Sequence, residues 1–283
     1  MGKGKKKWRG SENEIRKAGK RRGNNDVAAT SKTKQASDVS PKSAKLYELG
    51  DIILTVGDGD LSFSLGLLRR YGADSIFLQP TVYDSKQELQ RKYPDTAAGN
   101  AKELSQKFKA QTKYSVDCCR LLESGEAVWK NLFSKIVFNF PHVGDDEGQS
   151  HHRSASAPAA VGKRRRGADA QAAEELPFLS PVKGSAVRVH QDLLLGFFRS
   201  ARACLAEGGE VHVALKTGEP YKSWKLPSLA KAAGLRLDRV VAFAAPGEYR
   251  HRRTNGLQYE RGRGFEPESI QNQAQVFAFK AKL

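Results

Sequence analysis

Short apolar runs alternate along this chain with amphipathic stretches. Four stretches, 62–71, 88–109, 191–206 and 226–233, have helical periodicity or composition, and Pro94 and Gly99 predict breaks in the second. Seven runs have the length and composition of strands, namely 52–56, 76–83, 114–116, 135–140, 210–216, 239–244 and 275–281. This alternation predicts an α/β fold with a seven-stranded, mostly parallel, doubly wound sheet and helices on both faces.

The apolar pattern also divides the chain into a folded part and two polar parts. Residues 1–48 are rich in Lys and Arg and predict a disordered basic arm. Residues 49–283 form the predicted domain, with a disordered insertion at about 145–174 that contains the basic cluster 163–166. Both basic segments suit contact with phosphate backbones, nuclear import, or both.

The net charge of the chain indicates what kind of partner to expect. The chain has 48 Lys and Arg against 31 Asp and Glu, a formal net charge of +17 and a pI of about 9.8. Such an excess attracts polyanions, and nucleic acid is the first candidate. On charge alone, a solvated basic surface or an import tail is an equal alternative.

Apolar runs and cysteines exclude other classes. No run is long enough for a membrane span, and no apolar segment follows the basic start, so neither a membrane protein nor a secretory signal is expected. Cys118 and Cys119 are adjacent, Cys204 is distant, and no CxxC spacing occurs. A reduced intracellular protein without a metal is therefore expected, most simply as a monomer.

Glycine and acidic residues mark a ligand-binding end of the sheet. Gly57, Asp58, Gly59 and Asp60 follow the first strand, where glycines allow a sharp turn and close approach to a ligand. Asp84 ends the second strand and Asp117 follows the third. Asp84 either receives ribose hydroxyls or caps a helix, and Asp117 either faces an adenine amino group or caps a helix. Ser62 replaces the third glycine of a dinucleotide fingerprint, which argues against NAD.

The fourth strand leaves into an unusual loop, Asn139, Phe140, Pro141 and His142. Loops of the (Asn/Asp)-Pro-Pro-aromatic type hold a target nitrogen in enzymes that methylate amides or amines, where positioning supplies most of the catalysis. His142 suits proton transfer near neutral pH. The alternatives are an ordinary Asn-x-Pro turn and a solvated histidine.

Basic and aromatic residues follow the fifth and sixth strands. Lys216 closes the fifth strand, and Tyr249, Arg250, His251, Arg252 and Arg253 follow the sixth. This mixture suits a flipped base and its flanking phosphates, and a plain basic loop is the alternative.

Taken in order, ILTVGDGDLSFSLGL, VYDS, KIVFNFPHVG and YRHRRTNG resemble the Rossmann-like ribosomal RNA methyltransferase family of the 25S rRNA uridine-N3 type. The resemblance spans about 49–283. It implies a class I methyltransferase fold, S-adenosylmethionine as cofactor, and the N3 atom of a uridine in ribosomal RNA or a pre-ribosomal particle as acceptor. It also implies a nuclear, nucleolar protein, with the cytoplasm as the alternative.

The resemblance assigns roles to single residues. Gly57, Asp58 and Gly59 match the family's cofactor loop, Asp84 and Asp117 match its acids after the second and third strands, and residues 139–142 match its fourth-strand motif. Two features depart from the pattern, Pro80 within the second strand and the pair Cys118 and Cys119. A non-catalytic rRNA-binding assembly factor with a vestigial cofactor pocket remains the second hypothesis, and a methyltransferase for tRNA or a small substrate the third.

Overall fold

The computed structural model describes residues 45–125, 127–143, 176–180, 185–247, 249–251 and 273–282. The predicted insertion at 145–174 and nearly all of the predicted arm lie outside these residues. Within the part of the chain described, no helix combines the length and apolar character that crossing a membrane requires.

A six-stranded mixed sheet forms the centre of the domain. Its strands are β1 (Ile52–Val56), β2 (Phe77–Pro80), β3 (Phe133–Asn139), β4 (Leu205–Lys216), β5 (Leu235–Ala242) and β6 (Ala274–Ala281). The order across the sheet is β2-β1-β3-β4-β6-β5. β2, β1, β3 and β4 are mutually parallel, and β6 is antiparallel to both of its neighbours. Pro80 ends an edge strand. Its lack of an N–H therefore removes no hydrogen bond from the sheet.

The prediction of a seventh strand at 114–116 is wrong for the described chain. Lys113 makes an isolated parallel bridge with Thr81, and the Val116 N–H donates to the Val82 carbonyl at 3.0 Å. Between them, Ser115 has a φ of 57°, a left-handed conformation that interrupts an extended segment. The segment lies beside the end of β2 without continuing the sheet.

Six α-helices accompany the sheet in the described residues, and they are α1 (Ser62–Tyr71), α2 (Lys86–Lys92), α3 (Ala97–Phe108), α4 (Leu121–Gly125), α5 (Ala186–Cys204) and α6 (Leu226–Ala232). Short 3₁₀ turns occupy Cys118–Arg120, Ala127–Trp129 and Tyr221–Trp224. The predicted break near Pro94 separates α2 from α3. The break predicted at Gly99 is wrong, because Gly99 lies inside α3.

Helices cover both faces of the sheet, as the alternation of strands and helices predicts. Adjacent strand residues point to opposite faces, so Leu54 packs in one apolar cluster and Ile53 in the other. The first cluster contains the buried faces of α5 and α6, and the second those of α1 and α3. The predicted α/β fold, with helices on both faces of a mostly parallel sheet, is confirmed, with six strands in place of seven among the described residues.

Glu210 holds the sheet together near the amino ends of its parallel strands. This carboxylate is 4% exposed and accepts hydrogen bonds from Arg239 at 2.7 and 2.9 Å and from His212 Nε2 at 2.9 Å. Lys135 and Lys280 lie 3.4 Å from it. Burial opposes the charge, but these partners prevail and hold the pKa of Glu210 well below its usual range.

Candidate active site

A cleft opens at the carboxyl ends of β1 and β3, which are neighbours in the sheet although about 80 residues separate them in the chain. The strand order changes direction at β1, which is where open α/β sheets bind ligands. The walls come from four segments of the chain, and the lining residues are Thr55, Val56, Gly57, Asp58, Gly59, Asp60, Phe63, Tyr93, Val137, Asn139, Phe140, Tyr249, Arg250 and His251.

The turn after β1 needs a glycine at position 57. Gly57 has a φ of 61°, a left-handed conformation that side chains disfavour. A Cβ atom there would lie 3.0 Å from Cε2 of Phe138 on β3. The missing side chain therefore lets the turn pack against β3 and leaves its backbone open to the cleft.

Asp58 connects this turn to α1. Its Oδ2 accepts a hydrogen bond of 2.7 Å from the Ser64 N–H, and the Ser64 hydroxyl lies 2.7 Å from the hydroxyl of Thr55 on β1. Burial raises the pKa of Asp58 to about 6, the bonds from Ser64 oppose this, and the charge of Asp60 adds to it. The cleft thus carries an acid that titrates just below neutral pH.

Asp60 is buried and ties the same turn to α3. Its Oδ1 accepts from the Ser62 N–H at 3.1 Å and its Oδ2 from the Thr96 hydroxyl at 3.1 Å. The Asn100 side-chain amide donates to the Asp60 carbonyl at 2.8 Å. Thr96 and Asn100 shape the site although no sequence motif marks them.

Asp84 and Asp117 do not line this cleft. Asp84 Oδ1 lies 2.8 Å from the Lys92 ammonium, and both side chains are largely buried. Asp117 accepts a hydrogen bond of 2.8 Å from the Cys119 N–H and caps the 3₁₀ turn that follows. Each acid therefore interacts with another residue of the protein. The hydrogen bond of Asp117 is that of a helix cap, one of its two predicted roles.

The loop after β3 begins inside the cleft. Asn139 is the last residue of β3, and Phe140 follows with a φ of 51° while its N–H donates to the Ala214 carbonyl at 2.9 Å. A left-handed non-glycine residue costs energy, and such residues cluster at functional sites. The Phe140 ring contacts His251 with a centroid separation of 4.4 Å.

Pro141 and His142 leave the cleft. Pro141 is buried, and His142 is exposed with its ring 4.5 Å from that of His190 on α5. His190 is buried and stacks on Trp224 at 4.2 Å, with the rings 12° from parallel. Its Nε2 accepts from the Val143 N–H at 3.3 Å, and its Nδ1 lies 2.6 Å from the Ala186 carbonyl. These bonds require the neutral Nδ1–H tautomer. His190 and Trp224 carry no sequence signal.

The segment 249–251 folds over the start of α1. The Arg250 N–H donates to the Ser62 hydroxyl at 3.1 Å, and the Tyr249 ring packs edge-on against Phe63. The Tyr249 hydroxyl lies 3.2 Å from His251 Nδ1. Tyr249 and His251, predicted as RNA-binding residues, thus line the same cleft as Asn139. Lys216 closes β4 away from the cleft wall, and Arg252 and Arg253 lie outside the described residues.

Comparison with known proteins gives matches over most of the chain. Residues 54–253 match the model of the BMT5-like family, described as rRNA (uridine-N3-)-methyltransferase. The chain is 27% identical over 255 residues to the 25S rRNA (uridine(2634)-N(3))-methyltransferase of Saccharomyces cerevisiae, covering 75% of this chain and 68% of that protein. It is 31% identical over 215 residues to heavy metal-associated isoprenylated plant protein 41 of Arabidopsis thaliana, covering 75% of this chain and 35% of the plant protein.

Solved structures with similar folds include a SAM-dependent methyltransferase from Aquifex aeolicus. Its TM-score is 0.42 at 11% identity, with 82% of each chain covered. Because the family model matches 54–253, which is well over half of the sequence, the family is assigned from the sequence itself. The chain belongs to the BMT5-like family of rRNA (uridine-N3-)-methyltransferases, enzymes that depend on S-adenosylmethionine.

Proposed function

We propose that this protein transfers a methyl group from S-adenosylmethionine to the N3 atom of a uridine in large-subunit ribosomal RNA. One observation supports this most directly: the glycine turn at 57–60 and the amide of Asn139 lie in a single cleft. A cofactor loop and a nitrogen-positioning loop must meet if a methyl group is to pass between their ligands.

The chemistry of the β1 turn fits the cofactor. S-adenosylmethionine carries a sulfonium and an ammonium, and Asp58 and Asp60 provide carboxylates beside an open backbone at Gly57 and Gly59. These four residues would hold its methionine portion. Asp84 and Asp117, which lie outside the lining of this cleft, would receive the ribose and the adenine respectively, and Asp84 would keep its ion pair with Lys92. When bound, the cofactor supplies an electrophilic methyl carbon.

On the substrate side, the chain's residues orient a uracil ring. The Asn139 amide would donate to a uracil carbonyl beside N3, and Phe140 would offer its ring to the base. Pro141 is buried and would fix the loop, while the exposed His142 would meet the RNA at the mouth of the site. A base inside a duplex must first be flipped out to reach such a cleft.

Basic residues would hold the RNA around the flipped base. Arg250 is exposed at the rim of the cleft, and Lys216 ends β4 at the same edge of the sheet. Arg252 and Arg253 follow directly in sequence. With a net charge of +17, these residues would bind phosphates with an affinity that falls as salt rises. We further propose pre-ribosomal particles as the partner and the nucleolus as the location.

The experiment separates binding from transfer. Asn139→Ala and the isosteric Asn139→Asp are compared with the unmodified protein by calorimetric titration with S-adenosylmethionine and by methyl transfer to a 25S rRNA transcript. We expect both variants to bind the cofactor almost normally and to lose methyl transfer. The unmodified protein should produce N3-methyluridine in the transcript. Gly57→Arg is the control for lost binding.

Two outcomes would contradict the proposal. Equal loss of binding and transfer in the Asn139 variants would refute the division of roles. No cofactor binding by the folded, unmodified protein would favour the non-catalytic assembly factor.

A further inference from the structure

We infer that His251 accepts the proton that leaves uridine N3 during methyl transfer, an inference that rests on the proposed function. The N3 atom of neutral uracil carries a hydrogen and has no lone pair outside the ring's π system. It can form a bond to a methyl carbon only if that hydrogen leaves before or during the transfer. A base within reach of the uracil is therefore required.

The position of His251 meets this requirement. Its ring lines the same cleft as Asn139, the residue proposed to hold the uracil. It lies edge-on to Phe140 at a centroid separation of 4.4 Å, with 73° between the rings. His251 supplies the one imidazole among the described residues that line this cleft. A uracil ring bound by Asn139 and Phe140 would therefore lie beside this imidazole.

Tyr249 orients the imidazole. Its hydroxyl lies 3.2 Å from His251 Nδ1. Burial and the negative charges of Asp58 and Asp60 raise the pKa of Tyr249 well above its usual range, so the hydroxyl keeps its hydrogen. In the tautomer that this role requires, the Tyr249 oxygen accepts the Nδ1–H, and Nε2 then carries the lone pair that receives the N3 proton.

The charges around the cleft favour the protonated product. Asp58 and Asp60 line the same walls and would stabilise an imidazolium, while Arg250 at the rim would oppose it. Two carboxylates therefore stabilise the imidazolium, and one guanidinium opposes it.

The other candidate bases are placed less well. The His142 ring packs against His190 and does not line the cleft. Asp58 uses its Oδ2 to accept the Ser64 N–H at the start of α1. Both oxygens of Asp60 accept hydrogen bonds, from Ser62 and Thr96.

The step balances without a further reactant. The N3–H proton passes to His251 Nε2, and the electron pair of that bond forms the new bond from N3 to the methyl carbon. The carbon–sulfur bond breaks and its electron pair stays on sulfur, which becomes a neutral thioether. The imidazolium then loses its proton to water.

The test uses a substrate that needs the base less. Fluorine at C5 withdraws electrons and makes the N3–H of 5-fluorouridine more acidic than that of uridine. Single-turnover methyl transfer is measured on 25S rRNA transcripts made with either nucleotide. We expect His251→Gln to lower the rate about a hundredfold on uridine and much less on 5-fluorouridine, whereas Asn139→Ala loses the same factor on both. Calorimetry should show unchanged binding of S-adenosylmethionine by His251→Gln.

Tyr249→Phe provides a second variant that keeps the packing of the ring. It should slow transfer to uridine and recover partly on 5-fluorouridine, because the imidazole loses its orienting partner. Two results would overturn the inference while leaving the proposed function intact. The first is an equal loss of transfer rate by His251→Gln on both transcripts. The second is a rate that recovers on 5-fluorouridine in His142→Gln instead of in His251→Gln. No transfer by the unmodified protein to either transcript would overturn the proposed function and this inference with it.

Discussion

The Ser64 N–H donates a hydrogen bond of 2.7 Å to the Asp58 carboxylate, so one acidic side chain both accepts from the first turn of α1 and lines the cleft. This hydrogen bond stabilises the carboxylate form, whereas burial and the nearby Asp60 disfavour it. The second pair of effects prevails, and the pKa of Asp58 is raised to about 6. The charge that faces a cationic cofactor is therefore sensitive to pH near neutrality.

The affinity for S-adenosylmethionine should fall as the pH is lowered from 7 through 6. Asp58 is ionised above its pKa of about 6 and loses its charge below it, so the attraction for a cationic ligand declines in that window. Asp58→Asn keeps an acceptor oxygen for Ser64 without the charge. It should bind more weakly at pH 7 and show little change down to pH 5.5. Calorimetry over this range is the measurement, and the same pH slope in both proteins would contradict the prediction.

Gly57→Ala should abolish cofactor binding, with Gly72→Ala as the matched control. Both glycines have a positive φ, 61° and 82°, so alanine is strained at either position by about 1–3 kcal/mol. Only at Gly57 would the added Cβ meet another side chain, at 3.0 Å from Phe138, and only Gly57 lines the cleft. Urea unfolding should show a loss of stability in both variants, and calorimetry a loss of binding in Gly57→Ala alone. Lost binding in Gly72→Ala as well would attribute the effect to stability.

Local patterns in the sequence predict the α/β fold and two of the segments that line the cleft, the turn after β1 and the loop after β3. The strand at 52–56 leads straight into the glycine turn, and the strand that ends at Asn139 leads straight into its loop. Because the carboxyl ends of adjacent parallel strands meet at one edge, these two segments are expected together. The periodicity of Ser62–Tyr71 likewise gives α1 its observed bounds.

The remaining features depend on contacts between residues far apart in the chain. Nothing near Asp84 indicates that Lys92 pairs with it, and nothing near His251 indicates that it packs on Phe140. The left-handed Ser115 that ends the expected third strand is likewise not evident from residue type, since serine has no special preference for that conformation. Tertiary packing decides such positions, so their roles emerge only from the structure.

Glu210→Gln should destabilise the domain without a direct effect on the cleft. The change removes the charge that Arg239, Lys135 and Lys280 surround, and breaking such a buried pair costs about 3 kcal/mol. Urea unfolding of the variant should show this loss, and the exposed Glu207→Gln is the control with no expected change. Unaltered stability of Glu210→Gln would show that the cations are satisfied by water.

The stabilising effect of Glu210 should also depend on pH. Its pKa is lowered in the fold, so the unfolded chain takes up the proton first as the pH falls. The contribution is complete above the ordinary pKa of 4.5 and is lost below it as the pH falls toward the folded-state pKa. The difference in stability between the unmodified protein and Glu210→Gln should therefore shrink from pH 6 to pH 3. A constant difference would contradict the assigned ionisation.

His190→Phe should slow methyl transfer while leaving the fold and cofactor binding intact. Phenylalanine can keep the stacking on Trp224, which is 4.2 Å away, but it cannot accept the Val143 N–H that His190 Nε2 accepts at 3.3 Å. The loop after β3 then loses one anchor, three residues beyond Phe140. An ordinary hydrogen bond contributes about 1 kcal/mol, so the single-turnover rate should fall roughly fivefold. Thermal unfolding and calorimetry with S-adenosylmethionine serve as controls. An unchanged rate would mean that the loop is held by Pro141 and the Phe140 backbone alone, and a loss of cofactor binding would place His190 in a wider role than positioning this loop.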